Sequence, residues 1–145
     1  MAELFLIVRL AGARIALAAE QVEAVVEIGA VAPVPRAPAH VAGLAALRSR
    51  VLTVIDASVL VDPERRLAGE AREAVTATVA GHAYALLVDG VEDVIEGIPA
   101  EPGLPLAEQW RLMSRGTIEA GGDLLLLADV EALVAGLPAT AARAA

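Results

Sequence analysis

Apolar residues in this chain fall in short runs separated by glycine, proline or charge, and the runs are too short for helices of ordinary length. The pattern predicts strands at Leu4–Leu10, Arg14–Ala19, Val22–Ile28 and Val51–Ile55 in the first half. It predicts Ala74–Val79, Ala83–Val88, Val91–Ile95, Met113–Glu119 and Leu124–Leu127 in the second. Gly12, Gly81 and the pair Gly121-Gly122 sit between adjacent runs, where hairpins need residues that tolerate positive φ. Prolines at 33, 35 and 38, and again at 99, 102 and 105, predict extended loops outside any central ladder. Two short helices are expected. One covers Asp129–Ala135, with Asp129 as N-cap and Gly136 past its end; the other lies around Leu106–Leu112. Arg65–Arg72 reads as a charged surface connection, and the Ala-rich tail after Pro138 as a frayed end.

The same order of elements occurs twice. Ile15–Glu27 aligns with Tyr84–Glu96 at an offset of 69, with six of thirteen positions identical, and the offset carries Ala11-Gly12 onto Ala80-Gly81. Val51–Val61 aligns with Leu124–Val134 at an offset of 73, so that Asp56 and Asp129 each close an apolar strand. Strand, glycine turn, strand, Val-Glu-x-Val and apolar-run-Asp therefore recur, which predicts two similar β-lobes about an approximate twofold axis. Many short strands at this spacing favour small barrels.

Composition narrows the function. The 145 residues include no cysteine, which excludes a disulfide scaffold, a zinc ribbon and a thiol nucleophile. The net charge of −8 argues against nucleic acid or anionic lipid as a partner. No apolar run reaches the length of roughly 18–20 residues that a membrane span needs. Glu3 ahead of the first apolar run, with Arg9 and Arg14 close by, argues against a signal peptide.

Candidate chemistry is sparse. His40 and His82 are not paired by spacing and read as surface residues. Asp89, Glu92, Asp93 and Glu96 alternate faces on a strand, so they read as a solvated acidic edge and not as a metal cage. No phosphate-binding loop, nucleophile elbow or zinc-binding helix motif is present. Neither a catalytic set, a metal site nor a cofactor site is expected. Arg48 stands out, because Gly43-Leu-Ala-Ala-Leu-Arg-Ser-Arg-Val-Leu-Thr-Val-Ile-Asp56 reads as strand, tight turn, strand. An arginine beside that turn projects from a barrel end, where it can grip a partner's carboxylate or carbonyls; an ion pair with Asp56 is the structural alternative.

Taken together these segments resemble the CheW family of chemotaxis coupling proteins. The resemblance rests on Phe5-Leu-Ile-Val-Arg-Leu-Ala-Gly12, Val22-Glu-Ala-Val25, Val34-Pro-Arg-Ala-Pro38, the Gly43–Asp56 run, Leu87-Val-Asp-Gly-Val-Glu-Asp-Val94 and Leu124-Leu-Leu-Leu-Ala-Asp129. Ala46 stands where the family usually has asparagine, and Ser49 where it usually has glycine. The resemblance implies an all-β fold with short helices, built as two SH3-like five-stranded β-barrel lobes in one CheW-like domain over residues 1–145. The expected lobes are about 1–66 and 73–136, followed by a tail at 137–145.

It further implies a non-enzymatic cytoplasmic adaptor, or scaffold, recruited to receptor arrays of a two-component signalling system. The implied partners are the regulatory domain of a CheA-type histidine kinase and the cytoplasmic tip of methyl-accepting chemoreceptors. By position, Val22, Gly43, Arg48, Val75 and Val94 match partner-binding residues of the family. Two alternatives stay open: an adaptor of this kind serving a pathway other than motility, and a small ligand-binding β-barrel.

Overall fold

A computed structural model describes residues 2–62, 73–101 and 108–136. The expected Arg65–Arg72 connection, the prolines at 102 and 105 and the tail at 137–145 lie outside the described residues. The elements run β1 (Glu3–Leu10), β2 (Ala13–Ala18), β3 (Ala24–Glu27), β4 (Val41–Leu47), β5 (Arg50–Ile55), α1 (Ser58–Val61), β6 (Glu73–Val79), β7 (His82–Val88), β8 (Gly90–Pro99), α2 (Glu108–Leu112), β9 (Ser114–Ala120), β10 (Asp123–Ala128) and α3 (Val130–Ala135). The fold is mostly β, as expected. Neither the 3₁₀ turn at Ala19–Gln21 nor α1 stands out in the hydropathy pattern, because each spans a turn or less.

The repeat is structural. At the sequence offsets, β1 to β5 correspond to β6 to β10, and α1 corresponds to α3. The hydrogen bonds repeat as well: the Asp56 N–H donates to the His40 carbonyl at 2.7 Å, and the Asp129 N–H to the Met113 carbonyl at 2.8 Å. The lobes, however, do not coincide with residues 1–66 and 73–136. The closed barrel has the order β1-β2-β10-β9-β8, and the second sheet the order β3-β6-β7-β5-β4. Each half contributes its first hairpin to one lobe and its last three strands to the other. The seams of the exchange are the parallel pairs β2–β10 and β5–β7. Parallel neighbours need a long crossover, so such a strand finds its partner far away in sequence.

This exchange explains the apolar runs of β1. Phe5 and Ile7 point into the barrel with Ala16, Ile118 and Leu125. Leu6, Val8 and Leu10 point outward and pack with Leu86, Leu87, Val88 and Ile55 of the other lobe. A strand covered on both faces has no polar side and reads as a continuous hydrophobic stretch. His40 differs from its expected surface position. It is buried, its Nε2 lies 2.8 Å from the Val134 carbonyl oxygen, and its ring packs so closely on Gly136 that a side chain there would collide with it. The ring thus satisfies one of the carbonyls that the end of α3 leaves open.

Candidate interaction surface

The β4–β5 hairpin closes on the pair Leu47↔Arg50, leaving Arg48 and Ser49 as its two-residue loop. Both have positive φ, 50° and 69°, the signature of a type I′ turn. Its repeat mate is Gly121-Gly122, at 58° and 83°. The other two hairpins turn at Ala11-Gly12 and Ala80-Gly81 with nearly the same angles. All four turns therefore share one geometry, and Arg48-Ser49 is the pair without glycine. A two-residue loop of this kind is rigid, so it holds Arg48 outside the sheet as an exposed cation.

Behind the tip, the outer face of the hairpin is apolar. Val51 is 65 % exposed and sits opposite Ala46; Leu44 is 39 % exposed and sits opposite Thr53. Beside it, the free edges of β3 and β4 face each other across a cavity of about 280 Å³, lined by Ala24, Val26, Leu47, Leu52, Arg48 and Arg50 among others. The equivalent edges in the closed barrel, β8 and β9, are hydrogen-bonded from Gly97↔Ala120 to Pro99↔Ile118. β3 has four residues against the ten of β8, and only the bridge Ala32↔Leu44 joins its continuation to β4. A short strand thus leaves this seam open.

The five residues singled out in the sequence occupy different environments. Arg48 is exposed at the tip, and Asp56 lies buried past the opposite end of β5, which separates the two by the length of a strand. Asp56 accepts instead from the Ser58 hydroxyl. Gly43 is buried at φ 148°, and a Cβ there would be driven into the Ala32 carbonyl; its place is to let the Ala32 backbone approach β4. Val22 is partly buried ahead of β3 and packs against the core. Val94 is 51 % exposed on β8, two residues from the partner of the equally exposed Leu4.

Val75, by contrast, is 1 % exposed and belongs to the core between the lobes. The exposed residue at its register is Val25, which the repeat aligns with Val94. Val25, Leu44 and Val51 were not among the residues singled out. The repeat signals Val25, but no local pattern separates Leu44 and Val51 from core positions. Asp89, Glu92, Asp93 and Glu96 are exposed, but they do not form a sheet edge: β8 is hydrogen-bonded to β1 and β9 in the closed barrel, and Glu92 pairs with Arg9 and Arg14; His82 is exposed at its hairpin.

A closed five-stranded barrel joined to a matching five-stranded sheet by exchanged strands defines a two-lobed, mostly β module. The CheW-like domain model matches residues 4–137, and the chain belongs to that family. Among solved structures it is similar to the scaffolding protein TtCheW from Thermoanaerobacter tengcongensis, with a TM-score of 0.74, 20 % identity and 92 % of each chain covered. A sequence search of curated proteins gives no match. Among the described residues, no helix is long and apolar enough to cross a membrane.

Proposed function

We propose that this chain is an adaptor that couples the cytoplasmic tips of chemoreceptors to the regulatory domain of a CheA-type histidine kinase, and that it carries out no reaction itself. In this reading it is a single domain of two exchanged lobes, held in the cytoplasm and recruited to receptor arrays. The observation that carries the reading is the β4–β5 hairpin: a rigid tip bearing an exposed Arg48, with the apolar Leu44 and Val51 behind it. An aliphatic patch with an arginine at its margin suits recognition of another protein, the patch supplying area and the guanidinium supplying orientation. Arg48 and Val94 act by contact. Gly43 and Val22 act by holding β4 and β3 in place, and Val75 acts from the core behind Val25. Individual contacts of this kind are modest and gain strength in an array through multivalency.

The test is co-sedimentation of the chain with receptor tips and kinase, comparing the parent with Arg48→Glu. Reversing a contact charge costs on the order of 2–5 kcal/mol where the pair is buried in the complex, so capture drops by at least tenfold while thermal melting stays unchanged. Undiminished capture of both partners by a folded Arg48→Glu would remove the hairpin from the interface.

A further inference from the structure

The internal repeat pairs two strands in one copy and leaves their counterparts apart in the other. In the closed barrel, β8 reaches β9 through Gly97↔Ala120, Ile98↔Glu119 and Pro99↔Ile118. At the repeat offsets these residues correspond to Ile28, Gly29 and Ala30, just past the end of β3, and to Leu47, Ala46 and Ala45 of β4. None of these pairs forms, and the bridge Ala32↔Leu44 stands in their place. The Leu44 N–H donates to the Ala32 carbonyl at 2.9 Å, and the Leu44 carbonyl accepts from the Ala32 N–H at 2.8 Å. Leu44 thus turns its backbone groups away from β5, and so does Ala46 two residues on. Ala46 is exposed, and among the described residues no backbone hydrogen bond joins it to β3. Its N–H and carbonyl form an open sheet edge.

The lobe with the open seam also carries smaller side chains. Phe5, Ile7 and Ile118 inside the closed barrel correspond to Ala74, Thr76 and Ala45, while Leu47, in place of Ala120, is larger than its mate. Between the β3 and β4 edges lies the cavity of about 280 Å³, with Val26, Leu47 and Leu52 as apolar wall and Arg48 and Arg50 also lining it. Both arginines are exposed, and among the described residues neither forms an ion pair. Glu23, the carboxylate on the lining, accepts from the Thr78 hydroxyl. The lining is therefore net positive in a chain whose net charge is −8.

We propose that this seam takes up an extended segment of a partner protein, added as a strand beside β4, with an apolar side chain in the cavity and neighbouring carboxylates on Arg48 and Arg50. The repeat favours a strand as the occupant, because a strand fills the equivalent position in the closed barrel. Main-chain hydrogen bonds at Ala46 supply the pairing, and the alternation of a strand sends one side chain inward against Val26, Leu47 and Leu52 and the next outward. Two unpaired guanidiniums select carboxylates on the segment, since each can bind one through a planar pair of N–H donors. The proposal goes beyond the adaptor reading, and its test contains neither receptor nor kinase, so its failure leaves that reading untouched.

The experiment titrates the isotope-labelled full chain with the acetylated, amidated peptide Thr-Val-Thr-Val-Glu-Phe-Glu, following backbone amide shifts and hydrogen exchange. At a peptide concentration about ten times its Kd, the Ala46 amide is expected to exchange about tenfold more slowly. The same peptide with lysine for both glutamates binds at least about tenfold more weakly. Ala46→Pro removes the edge N–H where proline is tolerated, and weakens binding by about fivefold or more. Should that variant not fold, Arg48→Gln combined with Arg50→Gln weakens binding by about tenfold. Unchanged exchange at Ala46, equal binding of the lysine peptide, or undiminished affinity in the folded variants overturns the proposal. So does slowing at Ala46 that grows with chain concentration in the absence of peptide, which would assign the seam to a second copy of the chain.

Discussion

Replacing Ser49 by glycine removes a Cβ from a residue held at φ 69°, and the repeat provides its own control. A residue with a Cβ held in the left-handed region costs roughly 1–2 kcal/mol relative to its preferred conformations. Glycine releases that strain but gives the unfolded chain extra freedom, which offsets about 0.4–1 kcal/mol. The net gain expected for Ser49→Gly is therefore about 0.5–1 kcal/mol, which for a domain of this size is a rise of roughly 1–4 °C in Tm. Gly122 is the equivalent residue in the other lobe, at φ 83° with no atom within 4 Å of a Cβ built there. Gly122→Ser should therefore lose about what Ser49→Gly gains, through the backbone alone. The assay is thermal and urea unfolding of the parent, both single variants and the double variant, at one protein concentration. In the double variant the two effects cancel if the turns are energetically equivalent. A Ser49→Gly chain that melts at or below the parent, together with a neutral Gly122→Ser, would refute the argument that these turns carry conformational strain.

Gly43→Ala should destabilise by about 2 kcal/mol or more, since it combines a positive φ with a collision against the Ala32 backbone; a melt distinguishes this from a pure binding defect. Asp129→Ala should cost about 1–2 kcal/mol in urea unfolding, because Asp129 Oδ1 accepts from the N–H groups of Glu131 at 3.0 Å and Ala132 at 3.4 Å at the start of α3. In a reconstituted array, Ala46→Asn combined with Ser49→Gly should raise receptor-dependent kinase stimulation, because an amide side chain and a relaxed turn fix the hairpin more firmly; equal or lower stimulation would mean that the native pair suits this chain's own partners.

Local chemistry was enough to place most of the elements. Short apolar runs and small turn residues predict nine of the ten strands from hydropathy, and the Gly43–Leu47 segment supplies the tenth. The N-cap Asp129 and the left-handed Gly136, at φ 70°, bound α3 because a helix end is decided within a few residues. The repeat is likewise written in the sequence, as are Arg48 at a hairpin tip and the lone substitution of its glycine turn. Tertiary structure decided the rest. Alternation reports which side chains share a face, but not what covers that face, so Val75 and Val25, neighbours in one register, end in the core and on the surface. Which hairpin joins which lobe depends on the parallel pairs β2–β10 and β5–β7, whose hydrogen bonds connect backbone groups and leave no mark on composition. His40 is buried because α3 returns over it from 94 positions away, and only the ladders show that β3–β6 stops at Ala24↔Thr76 where β1–β8 continues to Arg9↔Gly90.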